Sequence, residues 1–306
     1  MIAETGAGLH QLETDGSLKF RVQCFQKSLI LSLRQFGREF YEMRILLTGS
    51  RGFAGSRIME ASSEIIPSPS LRNFNEKDIR RLIEQIRPDY IIHTAAISDI
   101  RACESDPDAS WHANVELPCR LVHTGVKTIL FSSDQVYGGC DKDGPYTEKD
   151  ASPENTYAVH KLEMENRCLD INPDTVILRA SWMYDLPIYG MNNRGNYLMN
   201  MILQREMMIP FSQHRTVTYM REAAYWTLKA LHLPGGVYNF GSENDLTMLD
   251  LSLWLKKELS LTVNFLDAGT RHSLWMNCQK AKDSGIVFPN AVEGLAHCLQ
   301  DYHLKV

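Results

Sequence analysis

Tyr157 and Lys161 stand four residues apart in the stretch TYAVHK. On a helix that spacing puts both side chains on one face. A lysine ammonium beside a phenol favours the tyrosinate, so the expectation is a Tyr157 hydroxyl drawn down from its reference value of ~10 towards neutrality and fit for proton transfer. His160, inside the same stretch, reads as a surface histidine and not as a catalyst. Upstream, FSSDQVYGG (131–139) closes an apolar run of Ile129, Leu130 and Phe131 with two hydroxyls, an acid, an amide and two glycines. In open parallel sheets, ligands collect beyond the carboxyl ends of the strands. A hydroxyl of Ser132 or Ser133 there is placed to hydrogen-bond a substrate carbonyl and polarise it beside Tyr157.

The third chemical signal is TGSRGFAG (48–55), where Gly49, Gly52 and Gly55 are spaced GxxGxxG. It follows the apolar strand RILLT and opens a helix, the context that turns a glycine motif into a dinucleotide cradle. Candidate cofactor contacts are Gly49, Arg51, Gly52, Phe53, Ala54 and Gly55. An NAD site usually carries an acid at the end of the second strand. Here that region reads EIIPSPSLRN, with Glu64 at the start of the strand and Ser68, Ser70 and Arg72 after it. Arg51 lies inside the glycine loop, where a guanidinium can meet a 2′-phosphate. Both features favour NADP(H), with NAD(H) still open.

Strands and helices must alternate to hold these groups, and from Met43 they do. Strands are expected at Arg44–Thr48, Glu64–Ile66, Tyr90–Ala96, Lys127–Ser132 and Thr175–Ala180, with a late one at Gly236–Phe240. Helices are expected from the glycine loop to about Ser62, after an Asn75 cap, from about Pro107 to His123, and after a Ser152 cap with Pro153 as first residue. Ile79, Leu82, Ile83 and Ile86 fall on one helix face at i, i+3, i+4, i+7, and Pro88 ends that helix. The pattern predicts an α/β fold, a Rossmann-type doubly wound parallel sheet covered on both faces, with a smaller C-terminal substrate-binding subdomain. The expected division is 43–181 for the nucleotide-binding domain, with 215–240 rejoining it, and 182–214 with 241–306 for the substrate side.

The chain has 306 residues, a formal net charge of −5, 44% hydrophobic and 23% charged residues. These values are ordinary for a soluble globular protein and give no electrostatic reason to expect nucleic-acid binding. Seven cysteines (24, 103, 119, 140, 168, 278, 298) form no CxxC pair, which fits a reducing cytoplasm and neither a disulfide framework nor a zinc site. No metal site is visible among the dispersed histidines. No apolar run approaches the ~20 residues that cross a bilayer. Residues 1–42 read as an N-terminal extension lying before a natural start at Met43. Leu29, Ile30, Leu33 and Phe36 recur there at helical spacing, without the features of a signal peptide.

Taken together, the glycine loop, Ser133, Tyr157 and Lys161 resemble the extended short-chain dehydrogenase/reductase superfamily. The likeness is strongest to its dTDP-4-dehydrorhamnose reductase branch. RPDYIIHTAAISDIRACESDPDASWHANVELP, FSSDQVYGG, PYTEKDASPENTYAVHK and VILRASWMY carry it. The resemblance implies a catalytic set of Ser133, Tyr157 and Lys161, with Tyr157 giving a proton to a sugar oxygen as hydride arrives from the nicotinamide, and Lys161 also holding the nicotinamide ribose. It implies that Ala95, Ala96 and Ser98 line the cofactor, that Asn114 supports the site through its helix, and that Trp182 lies by the sugar. Asp134 and Gln135 fall beside the substrate, and Arg215 and Arg271 are candidates for its diphosphate. The related dehydratases carry an acid where Gln135 stands. An amide cannot serve as their base, so a single carbonyl reduction fits better than elimination. The branch usually has threonine at Ser133, and residues 185–219 follow its pattern only loosely. The expected activity is NADPH-dependent reduction of a nucleotide-linked 4-keto sugar, by a possible homodimer. A sugar-nucleotide epimerase and a non-catalytic regulatory member of the same fold remain alternatives.

Overall fold

The computed structural model describes residues 43–188, 191, 195–269 and 273–304. The extension 1–42, with its expected helix, and Arg271 lie outside the described residues. The first half of the chain runs β1 (Ile45–Thr48), α1 (Phe53–Ala61), β2 (Ile65–Pro67), α2 (Glu76–Ile86), β3 (Tyr90–His93), α3 (Ile100–Ser105), α4 (Pro107–Trp111), a π-helical turn (His112–Glu116), α5 (Leu117–Val122), β4 (Lys127–Ser133), α6 (Thr156–Ile171) and β5 (Val176–Ala180). The second half runs β6 (Trp182–Tyr184), α7 (Tyr197–Leu203), β7 (Glu206–Ile209), β8 (Val217–Tyr219), α8 (Met220–Lys229), β9 (Gly236–Phe240), α9 (Met248–Glu258), β10 (Asn264–Asp267), α10 (Gln279–Asp283) and α11 (Ala291–Asp301).

Six strands form one sheet in the order β2-β1-β3-β4-β5-β9, and each neighbouring pair is parallel. The chain goes outward from β1 to β2, then crosses back to β3. That reversal opens a crevice above the carboxyl ends of β1 and β3, where such sheets bind ligands. Ile45, Leu46, Leu47, Ile91, Ile92, Ile129 and Leu130 are all fully buried, as expected of strands covered on both faces. Each such side chain contributes about 1.5–3 kcal/mol relative to exposure. On one face Leu46 and Ile91 pack with Ile79 of α2 and Leu121 of α5. Leu130 and Ile177 pack there with Met164 of α6. On the other face Phe131 meets Phe240 edge-on, Phe240 meets Phe288, and Phe288 leans on Trp226 of α8.

Local chemistry sets the element ends. The Asn75 side chain accepts from the Lys77 and Asp78 amides, and the Asp78 carboxylate accepts from the Asn75 amide. This reciprocal cap starts α2, which ends at Arg87 in the left-handed region (φ 49°) just before Pro88. The expected start of α6 at Pro153 is corrected. The helix begins at Thr156, with Asn155 accepting from the Ala158 amide at 2.9 Å. Ser152 is already committed: its amide donates to the Val136 carbonyl and its hydroxyl to the Gly139 carbonyl. Strand β3 stops at His93, short of the expected Ala96, because the following residues turn across the glycine loop. Thr94 donates to the Thr48 carbonyl through both its amide and its hydroxyl.

Beyond β5 the chain builds a second core from Tyr184, Leu198, Met201, Ile209, Tyr219, Leu251, Leu255 and Leu295. Two short parallel pairs flank it, β6 with β8 and β7 with β10. The chain returns to the large sheet only at β9, which pairs with β5.

Candidate active site

Gly49 has a φ of 74°, and a Cβ there would sit 2.7 Å from both the Ala95 amide nitrogen and the Thr94 hydroxyl. A Cβ on Gly55 would lie 2.2 Å from the Gly49 carbonyl oxygen. The two glycines therefore let the turn, the loop after β3 and the first turn of α1 lie in contact. Gly52 precedes α1 and offers no side-chain cap, so the first amides of the helix stay free for an anion. Gly52, Phe53 and Ala54 line a cavity of about 660 Å³, together with Ala95, Ala96 and Ser98 from the loop after β3. Arg51 stands exposed on the turn. Beyond Pro67 at the end of β2 the chain reads Ser68, Pro69, Ser70 and Leu71, with no carboxylate.

Ser133, Asp134, Gln135, Tyr157 and Lys161 line the same cavity. One face of α6 engages the end of β4. Tyr157 lies in the cavity wall with Ser133, and the Lys161 ammonium donates to the Phe131 carbonyl at 2.9 Å. The expected lowering of the phenol by Lys161 does not occur. Burial pushes the Tyr157 hydroxyl well up, Asp134 and Cys103 add to the rise, and only the Ser133 hydrogen bond opposes it. Lys161 is turned to Phe131, 5.9 Å from the centre of the tyrosine ring. Burial pushes Lys161 itself down to about 8, against the pull of Glu165. Near neutral pH the site thus holds a protonated phenol beside a protonated amine.

Ser133 Oγ donates to Asp134 Oδ1 at 3.1 Å and accepts from the Gln135 amide. Asp134 Oδ2 accepts from Ser181 Oγ at 2.8 Å and from Arg215 Nη2 at 3.0 Å. Arg215 lies over the Trp182 ring, 3.8 Å from its centre, and its Nε has no protein partner. Trp182 and Arg215 also line the cavity. Asp134 is therefore a carboxylate already engaged by a hydroxyl and a guanidinium.

Asn114 stands outside the cavity wall and acts on it. Its side chain accepts from the Ile97 amide at 3.2 Å and donates to the Ile97 carbonyl at 2.9 Å. Those two bonds, from within the π-helical turn, fix the loop that carries Ala96 and Ser98. His160 is not a surface residue. It is 8% exposed, bonded through Nδ1 to Ser110 Oγ at 2.9 Å and packed edge-on against Trp111. Ser110 also accepts from Asn114, so His160 supports the same scaffold and does not face the cavity.

Two buried polar residues escaped the sequence reading. His93 lines the cavity, its Nδ1 2.6 Å from Thr48 Oγ1 and its buried Nε2 without a protein partner. Burial and the nearby Lys161 drive it down to about 3, so it stays neutral. Glu165 lies four residues beyond Lys161, a further helical turn along the same face, and that spacing was the available signal.

A parallel sheet switching direction over a glycine turn, with serine, tyrosine and lysine converging at a strand end, defines a Rossmann-type α/β protein. Within that class the chain belongs to the RmlD substrate binding domain family, whose model matches residues 43–303. A dTDP-4-dehydrorhamnose reductase of Burkholderia thailandensis is 28% identical over 208 residues, 62% of this chain and 66% of that one. Methionine adenosyltransferase 2 subunit beta of Rattus norvegicus is 30% identical over 159 residues, 46% of this chain and 47% of that one. In both, the matched stretch spans less than two thirds of the relative's length. The structure of a Bacillus anthracis dTDP-4-dehydrorhamnose reductase in complex with NADP superposes with a TM-score of 0.73 at 20% identity, covering 85% of this chain and 99% of that one.

Proposed function

We propose that the protein reduces a nucleotide-linked 4-keto sugar with NADPH, as a member of the dTDP-4-dehydrorhamnose reductase branch. The observation that carries this reading is the meeting of Ser133, Tyr157 and Lys161 in one cavity under the glycine turn. The residues present suit the cofactor. The turn at Gly49 and Gly55 has no room for side chains, and the uncapped start of α1 faces the cavity as a pyrophosphate site does. When bound, NADPH supplies a hydride. Tyr157, kept protonated by its burial, acts as general acid and gives its proton to the carbonyl oxygen. Ser133 hydrogen-bonds that oxygen and polarises the carbonyl. Lys161, held against the Phe131 carbonyl, takes the nicotinamide ribose in this reading.

Gly49, Gly52, Phe53, Ala54, Gly55, Ala95, Ala96 and Ser98 take the cofactor in this reading, with Arg51 on its 2′-phosphate. The exposed position of Arg51 and the lack of a carboxylate after β2 support NADPH over NADH. Trp182, Gln135 and Arg215 face the sugar nucleotide. We take 43–181 and 215–240 as the cofactor half and the remainder as the substrate half, working in the cytoplasm.

The rat relative is a subunit of another enzyme by name, which favours a non-catalytic reading strongly enough to need a test. NADPH oxidation is followed with dTDP-, GDP- and UDP-linked keto sugars, for the protein and for Tyr157→Phe. A reductase loses about 10²–10⁴-fold in rate on losing its proton donor. Absence of turnover with every keto sugar rejects the catalytic reading. Arg51→Ala should narrow the NADPH/NADH ratio; an unchanged ratio removes Arg51 from the cofactor site.

A further inference from the structure

Tyr157, Lys161 and Glu165 follow one another at i, i+4 and i+8 along one face of α6, and each engages the last three residues of β4. Tyr157 shares the cavity wall with Ser133 and Lys161 donates to the Phe131 carbonyl. Glu165 Oε1 accepts from Ser132 Oγ at 2.5 Å. The carboxylate is 1% exposed and also takes Arg179 in a two-pronged grip, with Nε 3.0 and 3.2 Å from its two oxygens and Nη2 2.6 Å from Oε2. Arg179 lies on β5 in register with Ser132, and its Nη1 continues to the Tyr137 hydroxyl and the Glu148 carbonyl. Tyr137 in turn donates to Asn239 of β9 at 2.6 Å.

We propose that Glu165 is a positioning residue for the reduction described above, clamping α6 to β4 and β5 so that Lys161 holds its ammonium against the Phe131 carbonyl within the cavity. The inference rests on the assigned roles of Ser133, Tyr157 and Lys161. A helix that carries a catalytic tyrosine and lysine has to be fixed along the strand to well under an ångström. Glu165 fixes it one turn beyond the lysine, with charge-assisted hydrogen bonds to two neighbouring strands. The charge matters as well as the tether. The groups facing Lys161 are Glu165 and Cys168 on its own helix, Cys103 on α3 and His93 on β3. Of these, Glu165 is the strongest influence holding the proton on the lysine against burial. Arg179 balances the carboxylate and makes its burial tolerable.

The test compares the full chain with Glu165→Gln and with Glu165→Gln/Arg179→Met, which removes the guanidinium that the single change leaves unpaired. Lys161 is titrated by NMR on protein carrying ¹³C-labelled lysine, with its signal assigned through Lys161→Arg. The pH dependence of kcat/KM is measured alongside. Both folded variants should titrate Lys161 about one pH unit lower, a tenfold loss of proton affinity, and the alkaline limb of the rate profile should move with it. Unchanged Lys161 titration in a folded variant overturns the proposal, as does failure of the double variant to fold, which would make the carboxylate a folding element alone. A shifted titration in a protein that turns over no keto sugar keeps the clamp and rejects the reductase reading instead.

Discussion

The Arg215 guanidinium and the Asp134 carboxylate meet at 3.0 Å inside the cavity wall, with side chains only 9% and 4% exposed. The pair joins the end of β4 to the chain just before β8. It also commits the carboxylate next to Ser133 to a guanidinium. Breaking a buried pair from one side strands a charge and costs about 3–5 kcal/mol, whereas removing both partners is far milder. Arg215→Met should therefore lower the unfolding free energy by about 3 kcal/mol, the low end because Ser133 and Ser181 still donate to Asp134. Asp134→Asn/Arg215→Met should regain most of that loss. Urea unfolding of both variants measures it, and a double variant no better than the single one contradicts the pairing.

His93 governs part of the acid stability. Its folded value is about 3 against an ordinary 6.5, so between those two pH values the unfolded chain binds a proton that the folded chain does not. Stability then rises with pH across that window and flattens above about 6.5, with a slope of roughly 1.4 kcal/mol per pH unit for one proton. His93→Asn keeps a polar atom for Thr48 and removes the titration. Denaturant unfolding at pH 4.5, 5.5 and 6.5 should show a shallower pH dependence for the variant. Parallel curves for the two proteins would refute the assignment.

Gly49 and Gly55 are intolerant for different reasons. Gly49→Ala meets both a left-handed backbone and a 2.7 Å clash with the next loop, while Gly55→Ala drives a methyl into the Gly49 carbonyl at 2.2 Å. At Gly52, in extended backbone at φ −76°, the nearest atom to a Cβ is 3.2 Å away. Both flanking substitutions should reduce the melting temperature and weaken NADPH binding, read by cofactor fluorescence, far more than Gly52→Ala. Equal effects at all three positions would argue against the packed turn.

Asn114 should separate cofactor affinity from chemistry. Replacing it with leucine leaves both polar groups of Ile97 without their present partner, a loss of about 1–3 kcal/mol per buried group. The loop carrying Ala96 and Ser98 loosens, while Ser133, Tyr157 and Lys161 keep their own bonds. The expected outcome is a KM for NADPH raised at least several-fold with kcat changed less. A fall in kcat alone would place Asn114 in the chemistry instead.

The alternating strands and helices from Ile45 to Ala180 were legible because fully buried parallel strands are unbroken apolar runs and their helices carry one apolar face. The meeting of Ser133, Tyr157 and Lys161 in one cavity was legible from their types and spacing. The second half was not, apart from its strand at Gly236–Phe240. Its strands β6 and β8 are three residues each, too short for any period to show, and their partners lie far off in sequence. Ser152 and Pro153 looked like a helix start on local preference, and a hydrogen bond to Val136 overruled it. The predicted acidity of Tyr157 failed because charge proximity was weighed without burial, and the depth of that hydroxyl is a tertiary property. His160 misled in the same manner: its neighbours Ser110 and Trp111 come from a helix fifty residues upstream.

The excursion that begins after Ala180 ends at Gly236, which sits beside Val176 on the same strand pair. Departure and return are thus separated by four residues of β5, about 13 Å of rigid strand. The anchor points of the excursion are set by the sheet, so insertions in its exposed turns carry only a slowly growing entropic cost.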